Sequence, residues 1–141
     1  MDESRQFCTF YLDRLLFGVH VLDVQEVIRY QEMTRVPLSA ATVSGLINLR
    51  GQIVTAIDLR RRLSLNERPA GQLPMNMVVR TDEGAVSLLV DEIGDVIEVT
   101  EDSFERPPET MQGAARELVR GVYKLKDELL LILDTERAVN V

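Results

Sequence analysis

Residues 45–63 read GLINLRGQIVTAIDLRRRL, and this stretch decides the fold. Side chains on a strand alternate with period two. Leu46, Asn48 and Arg50 therefore fall on one face of a first strand, and Ile47 and Leu49 on the other. Arg50-Gly51 supplies a turn, in which Gly51 is free to take a positive φ. On the return strand Ile53, Thr55, Ile57 and Leu59 share one face, and Val54, Ala56 and Asp58 the other. Arg60 to Leu63 adds a helical turn.

The chain repeats this hairpin. GVYKLKDELLLILDTERAV, residues 121–139, overlays it without a gap. Gly45 falls on Gly121, Leu49 on Leu125, Arg50 on Lys126, Ile57 on Leu133, Asp58 on Asp134 and Arg61 on Arg137. A second echo joins VLDVQEVI (residues 21–28) to LVDEIGDVI (residues 89–97) with one residue inserted. The echoes keep their order, so the duplication covers each half.

The hydrophobic share of 45% with 28% charged residues is that of a globular protein able to bury a core. No apolar run approaches the roughly 18 residues of a membrane span, and Arg5, Gln6 and Asp13 interrupt the start. Cytoplasmic residence without membrane insertion is the expectation, and the lone Cys8 agrees with a reducing compartment. A net charge of −7 argues against nucleic acid as a partner. Lysine appears only as Lys124 and Lys126, so arginine carries most of the positive charge.

In order along the chain, strands are expected over 7–12 and 15–21. Val21, Val24 and Ile28, spaced three and four apart, predict a short helix with Glu26 off its apolar face. A brief strand over 33–36 stops at Pro37, and 38–44 reads as loop. Residues 64–74, with Pro69, Gly71 and Pro74, read as a linker and place the boundary between two halves. Strands follow over 75–81, 85–91 and 94–100, then a charged loop over 101–113 and a turn of helix near 114–119. Leu129 to Leu133 is apolar on both faces and predicts a strand between two packed surfaces. The whole reads as all-β: two side-by-side small barrels of about five strands with short helices, at about 14–68 and 74–139. Strand 7–12 is left open between them.

Catalytic signatures are missing. No P-loop, GxSxG, CxxC or HExxH motif occurs, and one histidine, His20, cannot make a zinc site alone. Cys8 reads as core, and Asp58 and Asp134 as strand-end caps or turn formers.

VQEVI, GLINLRGQIVTAIDLRRRL, LVDEIGDVIEV and GVYKLKDELLLILD together resemble, in order and spacing, the CheW-type chemotaxis coupling proteins, over residues 7–139. The resemblance implies two five-stranded SH3-like barrels, no enzymatic activity and no cofactor or metal. It implies two partners: the regulatory domain of a CheA-type histidine kinase and the cytoplasmic tips of methyl-accepting chemoreceptors. Carried over by matching positions, the binding residues are Val24, Glu26, Gly45, Asn48, Arg50 and Gly51, with Val96 from the second half facing the same groove. A different reading of the same pattern is a small-ligand-binding β-barrel sensor, which needs a largely apolar pocket of about 300 Å³ or more.

Overall fold

The hairpin forms as its alternation predicts. In the computed structural model, which describes residues 4–140, β4 (Val43–Leu49) pairs antiparallel with β5 (Gln52–Asp58). Leu49 faces Gln52, so Arg50-Gly51 is a two-residue turn, with φ of 52° and 86°. Positive φ at both positions matches the right-handed twist of the flanking strands. Ile47, Leu49, Val54 and Ala56 are buried together, while Asn48 and Ile53 face solvent. Helix α1 (Leu59–Arg62) follows, and the Asp58 carboxylate accepts the Arg60 N–H at 3.0 Å. The repeat is reproduced in β10 (Val119–Lys124), β11 (Leu129–Leu133) and α3 (Thr135–Val139), where Asp134 accepts the Arg137 N–H at 3.1 Å. Both aspartates are thus helix N-caps, a local backbone role, though one at a helix start rather than the strand-end cap or turn the sequence suggests.

The remaining strands are β1 (Ser4–Leu12), β2 (Leu15–His20), β3 (Val24–Ile28), β6 (Met75–Thr81), β7 (Gly84–Val90), β8 (Glu92–Thr100) and β9 (Phe104–Glu105); helix α2 spans Gly113–Leu118. Among the described residues they make two sheets, ordered β8-β1-β2-β11-β10-β9 and β3-β6-β7-β5-β4. From the first strand of each, the pairings run antiparallel, antiparallel, parallel, antiparallel in both sheets. The duplication is therefore topological. The division at 64–74 does not separate the sheets, however. Each half gives its first hairpin to the other: β1–β2 joins the C-terminal strands, and β6–β7 joins β3, β4 and β5. Strand 7–12 thus belongs with the C-terminal strands, as does 15–20, which the sequence places in the first unit. One sheet also has six strands rather than five, because β9 adds a two-residue edge.

Three apolar clusters result. One lies between the sheets and takes Phe10, Leu12, Phe17 and Val19 from one, and Met77, Val79, Leu88 and Val90 from the other. The others sit within each sheet's own curl, around Phe7, Tyr123 and Leu130, and around Ile47, Val54 and Leu89. β11 feeds two of them, with Leu131 and Leu133 in the shared layer and Leu130 and Ile132 in its own sheet's cluster. The expected strand between two packed surfaces is present, except that Leu129 at its start is 43% exposed.

Two local expectations change. Residues 21–28 are not a helix but a 3-10 turn, Val21–Asp23, followed by β3. A register shift against β6 between Val24 and Glu26 breaks the two-residue alternation, so the apolar spacing imitates a helix. The strand expected over 33–36 reduces to one bridge, Thr34 to Leu46. Gly45 makes that bridge possible, since a Cβ there would stand 2.7 Å from the Thr34 carbonyl oxygen. Gly121 does the same for β9, where a Cβ would stand 2.3 Å from the Phe104 ring. Gly45→Ala is expected to cost about 1–3 kcal/mol through this overlap. Thermal melting together with faster amide exchange at Thr34 and Leu46 checks it; unchanged exchange there would refute the crowding argument.

The arginine excess has a structural use. Arg62 donates to the Arg137, Ala138 and Asn140 carbonyls, Arg80 to those of Leu22 and Val24, and Arg116 to that of Pro108. A planar guanidinium carries five donors spread over a rigid fork, so one side chain can reach carbonyls that a compact ammonium, with three donors at one point, could not span together.

Candidate functional site

β3 and β4 are the two ends of the five-stranded sheet, yet Arg50, in the turn after β4, reaches Glu26 on β3. The sheet must therefore curl until its ends meet. The pair is bidentate: Arg50 Nη1 donates to Glu26 Oε1 at 2.9 Å, and Nη2 closes on Oε2. Gln25 Nε2 donates to Glu26 Oε2 at 3.2 Å. Asn48 Oδ1 accepts the Gly51 N–H at 2.8 Å and fixes the turn. Hydrogen bonds from Arg50, then Gln25, hold the Glu26 carboxyl below its ordinary range, and Glu26 in turn raises the Arg50 guanidinium. The Arg50 side chain is 68% exposed and that of Glu26 21%, so the guanidinium stands outward over a partly covered carboxylate. Ile53, opposite Asn48, is 61% exposed beside it. A carboxylate kept ionised by a guanidinium is not a proton donor.

The predicted residues are thus brought together in part. Glu26, Asn48, Arg50 and Gly51 form one surface. Val24 is half-buried against the shared apolar layer, and Gly45 lies buried under the Thr34 bridge, so neither belongs to the exposed part of that surface. Val96 is 58% exposed on β8, an edge strand of the other sheet, opposite Cys8. Among the described residues no hydrogen bond or ion pair links it to the Glu26–Arg50 surface.

One charged cluster escaped the sequence reading. Asp91, between β7 and β8, is 7% exposed, and Arg60 on α1 is 5% exposed. Arg60 Nε donates to both Asp91 oxygens at 3.0 and 3.1 Å, and its Nη2 closes on Oδ2. Arg68 Nε donates to Oδ1 at 2.8 Å, and the Asp13 N–H to Oδ2 at 2.6 Å. Burial by itself would raise the Asp91 carboxyl; the bonds from Arg60, the Asp13 N–H and Arg68 outweigh it and hold the carboxyl below its ordinary range. Arg60 was hidden in the run Arg60–Arg62, which the sequence marks only as a helical turn. The available signal was a break in the repeat, since Arg60 falls on Glu136.

The alternative sensor reading gains little. A cleft of about 410 Å³ opens beside Phe7, Phe104 and Tyr123, but Arg5, Asp23, Glu101, Arg120, Asp134 and Glu136 ring it. Among the described residues no cluster of His, Cys, Asp or Glu could hold a metal, and no helix is long and apolar enough to cross a membrane.

Two sheets of one topology, exchanged hairpins and an ion-paired NLRG turn define a duplicated β scaffold. The model of the CheW-like domain matches residues 6–141. The chain belongs to the CheW family. The chemotaxis protein CheW of Bacillus subtilis (strain 168) is 32% identical over 137 residues, spanning 97% of this chain and 88% of that protein. That of Treponema pallidum (strain Nichols) is 28% identical over 140 residues, spanning 96% and 82%. A crystal structure of the scaffolding protein TtCheW from Thermoanaerobacter tengcongensis matches with a TM-score of 0.88 and 28% identity, covering 99% of this chain and 94% of that one. The family is one of scaffolds without catalytic activity.

Proposed function

We propose that this chain couples the cytoplasmic tips of chemoreceptors to a CheA-type histidine kinase, and that the Glu26–Arg50 surface contacts the receptor. One observation carries the reading: the guanidinium of the NLRG turn is pinned in a bidentate pair yet mostly exposed. An oriented, solvent-facing arginine suits an interface, because little side-chain freedom remains to be lost on binding. In this reading Val96, exposed on an edge strand of the other sheet, supplies a further apolar contact to the receptor. Kinase contact falls to sheet edges elsewhere, and residence is cytoplasmic.

Calorimetric titration with the isolated regulatory domain of the cognate kinase, and separately with a receptor-tip fragment, tests the two halves of the reading. Saturable binding in both titrations is the expected result. No heat with folded protein at high micromolar concentration would overturn the corresponding half.

A further inference from the structure

We infer that Asp91, gripped by Arg60 and Arg68, is a positioning residue that fixes the angle between the two sheets, and with it the placement of Val96 relative to Arg50. The chain passes between the sheets after β2, through Val21–Asp23, and again between β7 and β8, at Asp91. The layer the sheets share is apolar on both sides. Apolar burial is non-directional, so it holds two surfaces together without choosing their rotation. Charge-assisted hydrogen bonds are directional and can choose it.

Asp91 is placed to do so. Its carboxylate takes the N–H of Asp13 in the β1–β2 turn, which belongs to the six-stranded sheet. It also takes Arg60 of α1, which continues β5 of the other sheet, and Arg68 of the segment leading into β6. Arg60 Nη1 reaches the Asn66 and Glu67 carbonyls at 3.1 and 3.4 Å, which ties that segment down a second time. One carboxylate thus fastens three segments from both sheets. The next residue begins β8, the strand that carries Val96. A buried ion pair is a poor way to gain stability over apolar packing. Its place at a crossing between sheets gives it a use that packing cannot supply. The receptor part of this inference rests on the proposed function; the angular part does not.

The experiment uses the full chain with Cys8→Ser and spin labels at Ile53→Cys and Glu98→Cys, exposed positions on the two sheets. The interlabel distance distribution is measured by pulsed dipolar resonance in Arg68→Met and Arg68→Lys backgrounds. Arg68→Met keeps the stem of a side chain whose Nη2 is already buried without a hydrogen-bond partner, and leaves Arg60 on Asp91, so folding is retained. The expected result is a broadened or shifted distribution in Arg68→Met, a partial return in Arg68→Lys, and, in the same variants without labels and with Ile53 and Glu98 intact, a several-fold loss of binding to the receptor-tip fragment with kinase-domain binding unchanged. Asp91→Asn, which keeps the shape and removes the charge, is the second variant and should broaden the distribution as well. A wild-type distribution in folded Arg68→Met and Asp91→Asn would overturn the inference and leave the cluster a stability element. A broadened distribution with unchanged receptor binding would uphold the angular role and overturn the receptor surface instead.

Discussion

Asp91→Ala is expected to unfold a large fraction of the protein at physiological temperature. Removing one partner of a buried ion pair leaves the other charge uncompensated and costs about 3–5 kcal/mol. Here two guanidiniums, on Arg60 and Arg68, lose their shared acceptor. The total stability of a domain is about 5–15 kcal/mol, so the loss takes a large share of it. For a chain of this size the melting temperature should fall by about 10–20 °C. Acid should mimic the substitution. The folded-state carboxyl lies below its ordinary value. Its contribution is therefore fully present above the unfolded value of about 3.9 and is lost as pH falls below it through the folded value. The wild type should lose stability steeply below about pH 4, and Asp91→Asn should lose less over the same interval. Equal acid slopes for the two proteins would show that other carboxylates govern acid unfolding.

Arg50→Glu is expected to abolish receptor binding while leaving the melt close to wild type. The side chain is mostly exposed, so little packing is removed, but two carboxylates then face each other across the meeting ends of the sheet. Removing a charged hydrogen bond from the centre of an interface weakens binding at least about tenfold. Two companions separate recognition from structure. Arg50→Gly relieves a positive φ of 52° and should hold or slightly raise the melting temperature, yet still lose binding. Glu26→Arg combined with Arg50→Glu restores an ion pair with reversed polarity. It should recover the turn and not the affinity. If Arg50→Glu binds receptor as wild type does, Arg50 is an ordinary solvated turn residue and the surface assignment fails.

What could be read in advance was local. The hairpin, its repeat, the capping aspartates and the twice-buried β11 all follow from alternation and register, which neighbouring residues encode. The grouping of Asn48, Arg50 and Gly51 was equally legible, because a two-residue turn places them together. The hairpin exchange was not. Both sheets need apolar strands of the same kind, so the pattern of 15–20 or 75–81 carries no label for one sheet over the other. The 64–74 segment misled for a related reason. Its prolines and glycine mark a loop, but a loop inside one sheet's connectivity has the same composition as a linker between domains. The Arg68 side chain within it is only 9% exposed, a fact that composition cannot carry. Val24–Ile28 failed where a register shift mimics helical spacing.

The exchange of hairpins also sets the order of events as the chain is made. β1 and β2 leave the ribosome first, but their sheet partners β8 and β11 begin only at Glu92 and Leu129. The early hairpin must wait, with both edges unpaired, while most of the protein is synthesised. Contacts so distant in sequence slow folding, and an unpaired edge invites association with other chains. The five-stranded sheet draws only on strands between Val24 and Val90 and can close once β7 is made, whereas the six-stranded sheet waits for β11, so the two sheets are completed in succession. During synthesis the exposed N-terminal hairpin becomes the segment that a nascent-chain chaperone would have to shelter.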